Sequence, residues 1–247
     1  MQYNADITKI KKFFEETDTI NFGAGAAGIA LFATTANDVC YYIVEIHACD
    51  LYQLEVNRDA SEVWKHGGII RSLSAISFIS FIKGKEVGDD LQFEIDDHAT
   101  ELKLSVVDGM NEIRSINISL TVPKVAHEYP CLTYANVVIK VNEFKKLCSE
   151  MAKSSSEIKI GSQANAIKLK GGDTATVNYG TWDPNAQSHE CYVKNVAFLK
   201  ATKINIGNTK NSQAGIYIHP EYPLMIKVKL GIVDFLIYSK KWIDDKQ

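Results

Sequence analysis

Apolar and polar residues alternate with two different periods along the chain, and these periods occur in the same order twice. An apolar spacing of three and four residues between Ile7 and Phe14 predicts a short amphipathic helix, and residues 141–150 repeat that spacing. Each of these segments is followed by three stretches of period two, which predict strands, then by a second helix and three more strands. The pattern therefore predicts two similar α+β halves.

The predicted elements correspond pairwise. The hairpin of residues 19–23 and 29–31 corresponds to residues 157–161 and 167–169, and the second helices are predicted over 71–82 and 194–204. The other predicted strands are 39–46, 91–95, 101–107 and 112–120 in the first half and 174–181, 215–219, 224–230 and 233–243 in the second. Neither half is large enough to bury its own helices fully, so we expect them to share a sheet and a core. The predicted division is 1–120, a connector at 121–130, and 131–247.

Composition places the chain among ordinary globular proteins. Its 247 residues are 46% hydrophobic and 23% charged, with a net charge of −3. Five scattered cysteines without a C-x-x-C pair indicate reduced thiols and an intracellular location. No apolar run approaches the roughly 20 residues of a membrane span, so we expect no membrane association.

Positive charge is concentrated on the predicted helices, whereas acidic residues gather in turns such as Asp89–Asp90 and at the tail. A helix of this length lying along a DNA duplex would face about ten phosphates. Lysines suit diffuse attraction to such a surface, because each is a mobile point charge. The candidate phosphate-facing residues are Lys9, Lys11, Lys12, Arg71, Lys83, Lys145, Lys146, Lys153, Lys194, Lys200 and Lys203.

Several segments resemble a known family over essentially the whole chain. Lys11-Lys12, the segment from Gly28 to Val39, Ala197–Thr202 and Tyr222–Val228 follow, in order, motifs of the proliferating cell nuclear antigen (PCNA) type of DNA sliding clamp. The resemblance implies an α+β clamp fold with helices inside and antiparallel sheets outside. It further implies a homotrimeric ring that encircles duplex DNA without reading its sequence.

The resemblance also implies two contact surfaces. Subunits would join by edge-strand pairing between 112–120 and about 174–183 of the next copy. Polymerases and other enzymes would dock a short peptide near the connector. A clamp loader would be a further partner. The implied interface residues are Glu112, Ile113, Ile116, Ile118, Thr174, Thr176, Asn178 and Tyr179. The implied peptide pocket contains Leu120, Val122, Pro123, Pro223 and Tyr238.

The sequence departs from the family pattern at several positions. Ala75 and Phe78 stand where the family commonly has lysines, and Thr34 replaces a bulkier apolar residue. These departures indicate a divergent clamp, of viral or unusual origin, that would act in the nucleus or at a viral replication site. They leave open a second interpretation, a checkpoint-type subunit that works in a ring of unlike chains.

A third interpretation comes from Gly23-Ala-Gly25-Ala-Ala-Gly28, a literal G-x-G-x-x-G that could bind NAD or FAD in an oxidoreductase. That motif requires a strand before it and a long helix after it, whereas the pattern here predicts a hairpin. The pairs His47-x-Cys49 and His189-x-Cys191 lack a second pair at zinc-like spacing. We therefore predict a non-catalytic protein with no metal and no cofactor.

Overall fold

The computed structural model describes residues 10–25, 28–35, 40–47, 68–83, 90–95, 98, 100–109, 111–123, 132–163, 165–186, 188–204, 212–231 and 233–242. The chain divides into two compact units, one comprising Met1–Ala33 and Ile43–Ala126 and the other Thr34–Tyr42 and His127–Gln247. No helix within the described ranges combines the length and the apolar character needed to cross a membrane.

The first unit contains a helical segment at residues 10–14 (α1), helix α2 (Ala75–Lys83) and two antiparallel sheets. Its first sheet has the order β4-β1-β2-β3, with β1 (Thr19–Gly25), β2 (Gly28–Thr34), β3 (Cys40–His47) and β4 (Gly68–Ser74). Its second sheet has the order β5-β6-β7, with β5 (Asp90–Ile95), β6 (Glu101–Asp108) and β7 (Asn111–Ser119). The first three residues of β3 group with the second unit.

The two sheets of the first unit share a core that α2 also contacts. Phe22 of β1 stacks on Phe93 of β5, with ring centroids 5.8 Å apart. Helix α2 lies against β1, β4 and β7. Arg114 of β7 donates a hydrogen bond to the Phe81 carbonyl oxygen at 2.8 Å, and its guanidinium lies 4.8 Å from the centroid of the Phe81 ring. These contacts connect β7 to α2.

The second unit contains helices α3 (Val141–Ser154) and α4 (Val196–Thr202) and two antiparallel sheets. One has the order β15-β14-β13-β8, with β8 (Val137–Lys140), β13 (Gln213–Tyr217), β14 (Leu224–Leu230) and β15 (Val233–Ser239). The other has the order β11-β10-β9-β12-β16, with β9 (Glu157–Gln163), β10 (Ala166–Gly171), β11 (Thr174–Tyr179), β12 (Glu190–Lys194) and β16 (Lys241–Trp242).

Helix α3 packs one face against the strands of the second unit because its apolar positions recur at helical spacing. Phe144, Leu147 and Met151 are buried on one face, and α3 contacts strands of both sheets as well as α4. The side-chain amide of Asn195 donates to the Ala152 carbonyl oxygen at 3.1 Å, which fixes the start of α4 against the end of α3. This unit therefore presents its two helices as one packed pair.

The predicted order of elements is confirmed except for three missed strands, β4 in the first half and β8 and β12 in the second. The predicted strand 233–243 is also divided into β15 and β16. Strands β4 and β12 precede the second helices and pair antiparallel with β1 and β9, so the same four-strand arrangement occurs in both units. The predicted helix starts at residues 71 and 194 are therefore wrong, because α2 begins at Ala75 and α4 at Val196. The Ser74 hydroxyl accepts the Ser77 amide at 3.3 Å, so the helix start is marked by a serine that the apolar pattern does not show.

The dinucleotide-binding interpretation of Gly23–Gly28 is wrong. Gly23 and Gly25 lie in β1, Gly28 begins β2, and the two strands pair antiparallel with Gly25 opposite Gly28. The described residues place a second strand where that motif needs a helix, so helix-terminal amides are not presented to a pyrophosphate.

Candidate assembly edges and cationic helix faces

Strand β7 is the edge of its sheet within the described part of the chain, where its one ladder is with β6. Ile113 is 56% exposed on one face of the strand, whereas Ile116 and Ile118 on the other face are half-buried and buried. The register shifts between Val106 and Val107, where a β-bulge interrupts the pairing. A sheet edge with exposed apolar side chains is a template for pairing with another strand.

Glu112 organises the start of this edge through three neighbours. The Lys103 ammonium lies 2.8 Å from its carboxylate, and the hydroxyls of Ser115 and Ser105 donate to it at 2.7 and 3.0 Å. The hydrogen bond from Lys103, followed by those from Ser115 and Ser105, lowers the pKa of Glu112 to about 2. The carboxylate therefore stays ionised and holds residues from both β6 and β7.

We predict that the Glu112 carboxyl titrates near pH 2. Carbon-detected NMR of the Glu112 side chain measures this titration. Because the folded-state pKa lies below the ordinary value of 4.5, the stability that Glu112 contributes is present above pH 4.5 and is lost as the pH falls toward 2. Lys103→Met should raise the pKa of Glu112 toward the ordinary value, because it removes the largest cause of the shift and leaves the hydrogen bonds from Ser115 and Ser105. An unchanged titration in that variant would show that Lys103 is not the main cause.

Strand β11 is the corresponding edge in the second unit, where its ladder in the described residues is with β10. Tyr179 is 70% and Val177 47% exposed. Thr174 is also exposed, whereas Thr176 and Asn178 are half-buried, and the Asn178 amide donates to the Thr176 hydroxyl at 3.1 Å. The open edge of β11 thus carries apolar groups, as β7 does at Ile113.

Glycines shape the backbone at both ends of β11. Gly172 has a φ of +57°, which suits the two-residue turn between β10 and β11. Beyond the strand, a Cβ at Gly180 would collide with the carbonyl oxygen of Val138, and Thr181 forms a bridge with Val138. Glycine is required where the end of β11 approaches β8.

Sequence reasoning missed Val177, although its period-two relation to Tyr179 could have identified it. Residues two apart in a strand lie on the same face, so Val177 and Tyr179 form one exposed apolar row. The predicted set placed Thr174, Thr176 and Asn178 on one face of β11 and Tyr179 on the other.

Two of the predicted cations lie on α1. Ile10, Phe13 and Phe14 are buried, while Lys12 is exposed and Lys11 forms an ion pair with Glu15 at 3.6 Å. The amphipathic pattern of this segment is therefore as predicted. Lys9 lies outside the described residues.

Helix α3 carries Lys146 and Lys153 on its exposed side and Lys145 half-buried beside them. Glu143 and Glu150 are exposed on the same helix, three or four residues from a lysine. The face is therefore a mixture of charges with a small positive excess.

Helix α2 contributes a single charged residue, Lys83, which is exposed at its last position. Ala75 and Phe78 are buried, so a lysine at either position would point into the core. The exposed positions are Ile76, 70% accessible, and Ser80. This confirms the weak charge of this helix but shows that Ala75 and Phe78 are core positions.

Three other predicted cations are not on exposed helix faces. Lys200 is 4% exposed, and its ammonium lies 4.0 Å from the centroid of the Tyr42 ring. Arg71 lies in β4 and donates to the Ile70 carbonyl oxygen at 2.9 Å. Lys194 ends β12 and contacts the Glu157 carboxylate at 2.5 Å. The prediction that these residues belong to a helical DNA-facing surface is wrong, and Lys203, just after α4, is half-buried.

Lys200 is buried near the Cys40 thiol. Burial raises the pKa of Cys40 to about 12, an effect that the positive charge of Lys200 partly opposes. The ring of Tyr42 supplies the ammonium with a cation–π contact in this environment. Lys200 thus has a structural role in the second unit.

The residues of the implied peptide pocket differ in accessibility. Leu120 is 8% exposed, Val122 is 67% exposed and Pro123 is half-buried. Pro223 is half-buried, and Tyr238 is 4% exposed with its ring centroid 6.1 Å from that of Tyr41. Val122 is therefore the accessible member of this set, and Tyr238 is packed in the core of the second unit. Residues 124–130 of the connector lie outside the described ranges.

Comparisons with known proteins identify the fold. No family model matches the sequence, and no curated protein matches it. The chain is similar in structure to proliferating cellular nuclear antigen from Entamoeba histolytica, with a TM-score of 0.72, 12% identity, and coverage of 97% of this chain and 96% of that one. It is also similar to the PCNA2–PCNA3 complex from Sulfolobus tokodaii, with a TM-score of 0.69, 16% identity and 96% coverage of both chains. The predicted α+β clamp fold is confirmed.

Proposed function

We propose that this protein is one subunit of a DNA sliding clamp that encircles duplex DNA and tethers replication and repair enzymes without catalysis. The observation that carries the proposal is the pair of open strand edges, β7 and β11, in a chain with the clamp fold. Strand β7 of one copy would pair with β11 of the next, so that each copy uses both edges and the ring closes at three. Such pairing would also protect two edges that otherwise expose Ile113 and Tyr179.

The cations of α1, α2 and α3 support an interaction with the phosphate backbone. Lys11, Lys12, Lys145 and Lys146 repeat the same pattern in the two halves, and they would attract DNA of any sequence. Because glutamates accompany them, the attraction is weak at each site, as a protein that slides requires. Retention on DNA then comes from the closed ring.

Tethering requires a contact for partner enzymes, and we propose that it includes Val122 with Leu120 and Pro123. These residues follow β7, and Val122 is 67% exposed. A short peptide from a polymerase or nuclease would bury this apolar side chain. The same proposal includes a division of the chain into residues 1–120, 121–130 and 131–247. It also includes the need for a clamp loader and action at a nuclear or viral replication site.

A threading experiment on linear duplex DNA tests the function without a loader. A closed ring enters and leaves over free DNA ends, so capping both ends after incubation should retain the protein through a high-salt wash. Capping the ends before incubation should prevent retention. Equal binding with either order of capping, lost at high salt, would mean ordinary surface binding and would overturn the proposal. Light scattering distinguishes the ring types, because a hetero-ring subunit alone would not reach three times 27.5 kDa.

We predict that changing Lys11, Lys12, Lys145 and Lys146 together to glutamate lowers the amount of threaded protein about tenfold. The reason is the loss of attraction during entry, and the mass by light scattering should stay that of the unchanged protein. Changing Lys229 and Lys240, exposed lysines outside the helices, to glutamate is the control and should leave threading nearly unchanged. Because the control carries half of the charge change, a loss of about threefold in the control would show that total charge, and not the helix face, governs entry.

A further inference from the structure

One face of the sheet formed by β9, β10 and β12 is lined with lysines. In β9, Ile158 and Ile160 point into the core, whereas Lys159 alternates to the other side. The register places Lys170 opposite Lys159, and Lys168 opposite Gly161. The lysines therefore converge on Gly161 from two neighbouring strands.

Gly161 forms the floor of a shallow groove of about 190 Å³ on this face. A Cβ at this position would lie 3.0 Å from the Cγ of Glu190, whose carboxylate is ion-paired with Lys159 at 2.8 Å. The groove is thus already partly occupied by a carboxylate of the chain itself, held by a lysine. This arrangement marks a place where a carboxylate is stabilised by the surrounding charge.

Positive charge remains unneutralised on this face. Lys168 donates to the neutral Gln163 side chain at 2.8 Å, and Lys170 makes no hydrogen bond or ion pair with described residues. The face is a positive patch on a chain whose net charge is −3. Its charged residues are the cations Lys159, Lys168, Lys170 and Lys194 and the anions Glu157 and Glu190.

We propose that this face is a docking surface for an extended acidic peptide of a partner protein. The carboxylates of the peptide would contact Lys168 and Lys170, next to the groove. Its intervening side chains would point away from the sheet. Because alternate residues of an extended peptide point the same way, an acidic residue at every second position would match the repeat of lysines along β10.

The carboxylates on the face favour a peptide over a nucleic acid. Glu190 and Glu157 would repel a continuous line of phosphates, whereas a peptide can place its carboxylates away from them. The groove also has room for one or two side chains but not for a duplex. This inference is independent of the DNA interaction, since these lysines lie on strands.

Fluorescence anisotropy with a short labelled peptide of alternating glutamate and valine tests the proposal at low ionic strength. Lys168→Glu with Lys170→Glu should weaken binding at least tenfold, and Glu190→Gln should strengthen it about threefold because it removes the competing carboxylate. Lys229→Glu with Lys240→Glu makes the same change of total charge elsewhere and should leave binding within about twofold of the unchanged protein.

Three outcomes would overturn the proposal. An equal loss in the Lys229 and Lys240 control would mean that only total charge matters. Unchanged binding in the Lys168 and Lys170 variant would place the peptide elsewhere. Displacement of the peptide by single-stranded DNA at a lower concentration than by unlabelled peptide would assign the face to nucleic acid.

Discussion

Replacing Val177 and Tyr179 with lysine is expected to convert the assembled protein into a monomer of 27.5 kDa. Both residues lie on the exposed row of β11, where the next copy would pair its β7. The Val177→Lys change removes an apolar contact and places a second ammonium beside Lys168, the cross-strand neighbour of Val177, so that like charges face the incoming strand. Lysine on an edge strand is also a common way to prevent pairing. We expect the dissociation constant of assembly to rise at least about 1,000-fold, about 4 kcal/mol.

Light scattering after size exclusion measures this effect, and circular dichroism checks that the variant remains folded. Leu199→Lys is the matched control, because Leu199 is an apolar side chain of similar exposure, 44%, on α4. The control should assemble like the unchanged protein. A double variant that keeps its full assembled mass would show that β11 is not a subunit interface, and the clamp proposal would lose its main support.

Elements with a clean period and strong end signals were predictable from the sequence. Strand β14 was predicted over Leu224–Leu230 and has those bounds. Its apolar and polar residues alternate, and a proline before the strand and a glycine after it end the pattern. Strand β4 was not, because an apolar run with serines fits a helix as well as a strand. Its pairing with β1, a long-range contact that the local pattern does not encode, decides between the two.

The candidate site was less predictable than the fold, since composition does not show which way a side chain points. Lys200 lies on a helix, as predicted, but the short α4 turns it toward Tyr42 and away from solvent. Tyr238 was assigned to a pocket and is instead packed in β15, a strand whose residues are all buried. An amphipathic pattern identifies a helix face only where one side is polar throughout, and α4 and β15 lack such a side.

A second large effect is expected for Asn136→Ala, through the stability of the second unit. Asn136 is 3% exposed, and its side-chain amide donates to the Ser162 hydroxyl at 3.0 Å while its side-chain carbonyl accepts the Ile218 amide at 2.5 Å. Ser162 in turn accepts the His189 amide at 3.2 Å. Alanine would leave the Ile218 amide unsatisfied in the core, which costs about 2 to 3 kcal/mol.

Hydrogen exchange measures this cost where it arises. The Ile218 amide should exchange about 30- to 150-fold faster in Asn136→Ala, the range that corresponds to that free energy. Ser162→Ala should have a smaller effect at Ile218, because the bond from the Ile218 amide to Asn136 remains. Asn165→Ala is the control, because it removes an exposed side chain and keeps the backbone oxygen of residue 165 that accepts the Gly180 amide. It should leave exchange at Ile218 unchanged. Equal exchange rates in the Asn136 and Asn165 variants would mean that water satisfies the Ile218 amide and that the Asn136 bridge between β8 and the end of β13 contributes little to stability.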